Sequence, residues 1–307
     1  MSRSNYLVHK PVTMKNVNKR VGLTEEILHR FYLIQPKYDG VSLIVKLFAI
    51  WDETTQTCGY EITTRTGEIV TSCDHIGECL AKFPGIVPGV YFGEGWIPGQ
   101  TQAYINGLVM RHAASPDVQM PIFDYVTNEE FGRGRSELGY EARVARLPET
   151  FFRIETEGAP IWPAACEGTL DEIGITGDEA ARQYVALGGY DGVIARHPLG
   201  TWTMGGGSNG EIVKIKPRGI DLTLRVIGYE LGKGKHTGRI GTLIVSLNGK
   251  KQGAGTGLKD SQRDVANFER DWLGKLVDIT ALGYTEDGML REPVLGAVRH
   301  DVLEPDA

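Results

Sequence analysis

The chain has 307 residues, 41% of them apolar and 23% charged, a globular make-up with length for about two domains that excludes disordered and fibrous classes. No stretch approaches the ~18 consecutive apolar residues of a membrane helix, so no membrane partner is expected; the formal charge of −6 argues against coating of nucleic acid by net charge yet leaves room for local basic patches. Four irregularly spaced cysteines, Cys58, Cys73, Cys79 and Cys166, make neither a disulfide framework nor a zinc pair, and with an N-terminus lacking a secretory apolar region they point to a reducing cytoplasm.

Forty glycines predict many short elements joined by turns. Runs rich in β-branched and aromatic residues predict strands at 31–37, 41–51, 60–65, 90–97, 121–126, 191–195 and 212–215. Apolar periodicity predicts helices near 74–83, 101–112, 140–147 and 178–187, giving an antiparallel-rich α+β domain. Pro and Gly in Lys214-Ile215-Lys216-Pro217-Arg218-Gly219 interrupt the pattern, so the boundary is set between residues 1–218 and 219–307. Beyond it come β-patterned runs at 222–229, 241–247, 251–255 and 276–284 with a helix near 261–272, the pattern of a small all-β OB-fold barrel.

Charge is uneven along this chain. Residues 225–263 hold eight basic residues (Arg225, Lys233, Lys235, Arg239, Lys250, Lys251, Lys259 and Arg263) against Glu230 and Asp260, and residues 1–24 hold five basic residues and no acid. Each stretch reads either as a solvated face or as a strip that follows a phosphate backbone, with Gly232, Gly234 and Gly238 allowing close approach. On the second reading Lys233, Lys235, Arg239, Lys250 and Lys251 are the DNA-binding candidates.

Lys37-Tyr38-Asp39-Gly40 puts a lysine at the end of an apolar strand, and alone it is a weak motif. Behind it follow, in order, Thr64-Arg65-Thr66-Gly67, Phe92-Gly93-Glu94-Gly95, Phe123-Asp124-Tyr125, Asp191-Gly192-Val193-Ile194-Ala195-Arg196 and Lys214-Ile215-Lys216. Six ordered blocks resemble the covalent nucleotidyltransferases, and among them the ATP-dependent DNA ligases. Gly238-Arg239-Ile240-Gly241-Thr242-Leu243, Gly255-Thr256-Gly257-Leu258-Lys259-Asp260 and Leu290-Arg291-Glu292-Pro293 look like the OB domains of DNA ligases. These blocks favour that family over RNA ligases and capping guanylyltransferases.

The resemblance implies that Lys37 is the catalytic nucleophile, taking AMP from ATP with Mg²⁺, and that the partner is nicked double-stranded DNA, sealed by a monomer in replication, repair or recombination. An amine attacks phosphorus only when neutral, and neighbouring cations such as Arg65, Lys214 and Lys216 lower a lysine pKa while holding phosphate oxygens. Glu94 and Asp191 are the carboxylates expected for the metal, which takes one or two such ligands with phosphate and water. Phe123 and Val193 are expected to sandwich the adenine, Gln35 to accept from its amino group, Arg196 to contact nucleotide, and Arg299 of Arg299-His300-Asp301 to orient the pyrophosphate.

Four positions depart from the family pattern. Ser42 replaces a basic residue, Arg196 replaces Lys, Asp191 replaces Glu with one methylene less reach, and Val302 stands where some relatives have Lys. None removes the nucleophile. The rival readings are an RNA ligase or capping-type guanylyltransferase, an NAD-dependent ligase, and a nucleic-acid-binding homologue whose transferase site has decayed.

Overall fold

The computed structural model describes residues 6–52, 57–154, 158–205, 207–217, 219–285 and 287–307. The chain divides into two compact units, Met1–Pro217 and Arg218–Ala307.

Besides a two-stranded ribbon of Arg135–Ser136 with Trp202–Thr203, the first unit is built on two larger sheets. One runs in the order Thr57–Thr64, Val41–Asp52, Gly89–Gly95, Met120–Val126 and Ile161–Pro163, antiparallel except for the last pair. Its core side packs against helix Asp74–Ala81 through Ile76 and Leu80, with Leu43, Val45, Leu47 and Tyr91 from the strands. Gly77 lets helix and sheet meet, since a β-carbon there would lie 2.3 Å from the Tyr60 ring. The other sheet runs Val12–Thr13, Ile212–Ile215, Tyr190–Arg196 and Leu33–Tyr38. Helices Met14–Val21, Glu25–Phe31 and Gly177–Leu187 contribute Val17, Leu28, Ala180 and Ala181 to the core beneath it. Each large apolar side chain so buried stabilises the fold by about 1.5–3 kcal/mol.

Each strand and helix expected in this unit has a counterpart within a few residues. Four further helices, Met14–Val21, Glu25–Phe31, Asn128–Arg133 and Leu170–Ile173, are short and were not expected from the periodicity of the sequence. Capping chemistry marks two of them. Thr127 with Glu130, and Thr169 with Glu172, form reciprocal capping boxes, and both are legible as Thr-x-x-Glu.

The second unit is a five-stranded antiparallel sheet in the order Lys250–Ala254, Ile240–Leu247, Ile220–Leu231, Leu276–Ala281 and Val294–Arg299. Leu224, Val226, Leu243, Val245, Val277 and Ile279 alternate inward and meet Trp272 and Phe268. A closed barrel was expected, but among the described residues the two edges meet in a single bridge, between Thr256 and Val294. Gly257 permits that approach: its φ is +98°, and a β-carbon would fall 2.2 Å from the Leu295 carbonyl oxygen. The helix expected near 261–272 is broken into 3-10 turns at Asp260–Gln262 and Val265–Asn267 and one short α-turn, Phe268–Asp271. Arg263 explains part of this, because its buried guanidinium donates to the carbonyls of Ile240, Gly241 and Leu258 and clips the segment across the sheet.

Candidate active site

A cavity of about 720 Å³ opens in the first unit, and Lys37, Gln35, Arg65, Glu94, Phe123, Arg196 and Lys214 all line it. Two β-bulges aim the side chains that matter most. Pro36 pairs with Val193 and Tyr38 with Tyr190, so Lys37 alone faces the two residues Asp191 and Gly192, a bulge that turns the Asp191 carboxylate onto the lysine. Only glycine fits beside it, since Gly192 has φ +127° and a β-carbon would lie 2.2 Å from the Ile215 carbonyl oxygen. In the neighbouring sheet Phe92 pairs with Asp124 and Gly93 with Ile122. Phe123 is thus the extra residue of the second bulge, and its half-buried ring packs against the core while lining the cavity.

The loop after Lys37 is held by close backbone contact. Asp39 donates its N–H to the Gly189 carbonyl at 2.9 Å. A β-carbon on Gly40 would lie 2.1 Å from the Gly95 carbonyl, which gives the glycine of this turn a steric reason.

Lys37 Nζ donates to Asp191 Oδ2 at 2.6 Å, and Lys216 Nζ reaches Asp191 Oδ1 at 2.8 Å. Burial would raise the Asp191 pKa, but the hydrogen bonds from Lys216 and Lys37 prevail and hold it below the usual carboxylate range. Lys214 is held below the usual lysine range by burial and then by the charges of Lys216 and Lys37, so the field of neighbouring cations expected here is felt at Lys214. Burial pushes Glu94 up to about 7, against the pull of Lys37 and Arg65. Among the described residues no cation lies within ion-pair distance of Glu94.

One end of the cavity is a buried polar network. Asp124 accepts from Arg143 Nε at 3.0 Å and Nη2 at 2.8 Å, and Arg196 Nη1 lies 3.5 Å from Asp124 Oδ2. Arg196 Nε donates to the Gln35 carbonyl oxygen, while Gln35 Nε2 donates to the Tyr140 hydroxyl at 3.0 Å. The Arg196 guanidinium also stands 5.0 Å from the Phe123 ring centre. Gln35, expected to accept from the adenine amino group, is here engaged on both sides of its side-chain amide.

Other expected residues fall elsewhere. Val193 is fully buried in the core with Val213 and Leu170; strand alternation turns its neighbour Ile194 to the cavity instead. That corrects the expectation of Val193 opposite Phe123. Arg299 belongs to the second unit, where Asp278 at 3.0 Å and Asp301 at 2.7 Å clamp it. The carboxyl of Asp301 is pushed down to about 2, first by its hydrogen bond with Arg299.

The basic stretch of the second unit is also divided by topology. Lys233, Lys235 and Arg239 lie in the connection between Ile220–Leu231 and Ile240–Leu247, whereas Lys250 and Lys251 follow the turn at the far end of the latter strand. Eight residues at ~3.3 Å each separate the two groups by roughly 26 Å. Arg239 donates to the Asp260 carbonyl and Lys250 to the Asp287 carbonyl. The sequence reading missed Arg143, Tyr140, His9 and Lys10. Arg143 and Tyr140 lie far along the chain from the residues they meet, and His9 and Lys10 sit in a stretch whose sequence signals only positive charge.

Residues 231–299 match the DNA ligase OB-like domain family. The chain resembles a minimal ATP-dependent DNA ligase. Among solved structures, one of the Lig E DNA ligases is 20% identical over 95% of this chain and 98% of that chain, with a TM-score of 0.60. A structure named Pmar-Lig_Pre is 23% identical over 97% of this chain and 68% of that chain, with a TM-score of 0.66. The ATP-dependent DNA ligase of bacteriophage T7 in complex with ATP is 14% identical over 95% of this chain and 98% of that chain, with a TM-score of 0.51. At these identities the likeness is one of fold, an α+β domain followed by an OB-like domain. No curated protein matches the chain. Among the described residues no helix is long and apolar enough to cross a membrane.

Proposed function

We propose that this protein is an ATP-dependent DNA ligase that seals nicks in duplex DNA. The observation that carries the reading is Lys37, fixed opposite the Asp191–Gly192 bulge in a cavity that gathers Arg65, Lys214, Glu94 and Phe123. In the first transfer the neutral Lys37 amine attacks the α-phosphorus of ATP; a P–N bond forms, the bond to the bridging oxygen breaks and pyrophosphate leaves. The nick 5′-phosphate then takes AMP from Lys37, forming a pyrophosphate linkage and freeing the amine. Finally the 3′-hydroxyl attacks the 5′-phosphate, the phosphodiester forms and AMP departs.

Asp191 holds the Lys37 ammonium in place before reaction, and the incoming phosphates compete with it for the cations. Arg65, Lys214 and Lys216 are assigned to the phosphates, Phe123 to one face of the base, and Arg196 with Gln35 to the base pocket. Arg299 is assigned to the pyrophosphate, a role that requires its release from Asp278 and Asp301. Magnesium would offset phosphate charge as the pyrophosphate leaves. Glu94 fits it as a half-buried oxygen donor with no cation within ion-pair distance among the described residues, while both oxygens of Asp191 are taken by lysines until Lys37 moves.

The ligase-type second domain favours DNA over RNA-capping chemistry. A sealing assay that offers ATP, NAD and GTP with nicked DNA or nicked RNA tests this directly. Joining of nicked DNA with ATP alone is expected, and joining confined to RNA, or supported only by NAD or GTP, would overturn the assignment.

A further inference from the structure

The N-terminal segment Tyr6–Pro11 is stitched into the wall of the cavity. Leu7 donates its N–H to the Arg65 carbonyl at 2.8 Å, the Val8 carbonyl accepts from Gly205 at 3.1 Å, and the Lys10 carbonyl accepts from Ser208 at 2.9 Å. His9 beneath it is buried, with Nδ1 accepting from the Thr203 N–H at 3.4 Å. These bonds join the turn that carries Arg65 to the loop that precedes the Lys214 strand. Tyr6, His9 and Lys10 all face the same cavity as Lys37.

Lys10 stands out among these residues. It is half-buried, although lysine is among the residues least often withdrawn from water, and among the described residues no carboxylate lies within ion-pair distance. Its ammonium rests 3.3 Å from the centre of the Tyr6 ring, and the Arg65 guanidinium lies 5.2 Å from the same centre. One aromatic ring thus steadies two cations at the cavity wall. The charge of Lys10 also reaches Lys214, whose pKa it helps to lower. Asp191 already answers Lys37 and Lys216, so Lys10, Arg65 and Lys214 are, among the described residues, cavity-lining cations with no carboxylate within ion-pair distance, open to an anion of several charges.

We infer that Lys10 is a polyphosphate-binding residue of this cavity, with Tyr6 the residue that positions it beside Arg65. The inference rests on the nucleotide-binding reading of the site. It is tested by equilibrium binding of ATP and of adenosine to the full chain and to its Lys10→Met, Tyr6→Leu and Tyr6→Phe variants. Lys10→Met should weaken ATP about tenfold or more, the scale of a lost charge-assisted hydrogen bond, and leave adenosine unchanged; Tyr6→Leu, which removes the ring, should also weaken ATP selectively and Tyr6→Phe should restore it, whereas unchanged ATP binding by Tyr6→Leu would overturn the role of Tyr6. An equal loss for ATP and adenosine would mean that Lys10 supports only the fold of the wall, and unchanged ATP affinity would remove it from the phosphate site; either result overturns the inference. Failure of the parent chain itself to bind ATP would instead count against the proposed function.

Discussion

The cavity of the first unit and the lysines of the second treat charge in opposite ways. In the first, charged side chains are buried and directed: Asp124, 3% exposed, and Arg143, 1% exposed, anchor Arg196, and a bulge sets Asp191 between two lysines. In the second, Lys233, Lys235, Lys250 and Lys251 are exposed at two ends of a sheet, and Arg299 is neutralised locally by two aspartates. Buried charge fixes a geometry because a misplaced partner is costly, whereas exposed lysines provide a screened, long-range field with little positional demand. The first arrangement suits chemistry at one atom, and the second suits a grip on a phosphate backbone.

The contrast is broken most severely at Arg143. Arg143→Ala leaves Asp124 buried beside an empty space and should cost about 3–5 kcal/mol of stability, read from the midpoint of urea unfolding. A loss of a few tenths would mean that the network is not structural.

The next effect is a pH dependence at Glu94. Its folded pKa is raised to about 7 from a usual 4.5, so the folded state binds the proton more tightly than the unfolded chain. Its contribution is therefore fully present at low pH and is lost as pH rises through about 7. Glu94→Gln should flatten that decline in unfolding measurements made from pH 4.5 to 7.5, while a parallel pH profile for parent and variant would show that Glu94 titrates normally.

The smallest effect sharpens the comparison from the other side. Replacing Lys233 and Lys235 with Ala should leave stability nearly unchanged and lower the slope of log affinity for nicked DNA against log salt by about 2, close to one per lost phosphate contact. If the slope stays put, these lysines form a solvated face only.

Most of the first unit was legible because its strands alternate cleanly and its motifs sit at strand ends, where glycines such as Gly40 and Gly192 answer to close backbone approach. What was not legible depends on three-dimensional register. Nothing in the spacing says that Asp191 and Gly192 share one partner, or that Val193 turns inward and Ile194 outward. The pairing of Asp124 with Arg143, and of Arg196 with Gln35, joins residues 19 and 161 positions apart. In the second unit the run of basic residues suggested one strip, and the hairpin connectivity divided it.

The central claim is that Lys37 is a nucleophile toward ATP. Intact-protein mass spectrometry after incubation with ATP and magnesium, followed by peptide mapping, tests it with least dependence on DNA. The account predicts the mass gain of a single AMP, located on Lys37, released by added pyrophosphate and absent from Lys37→Ala. An unmodified parent chain, or an adduct that persists in Lys37→Ala, would contradict it.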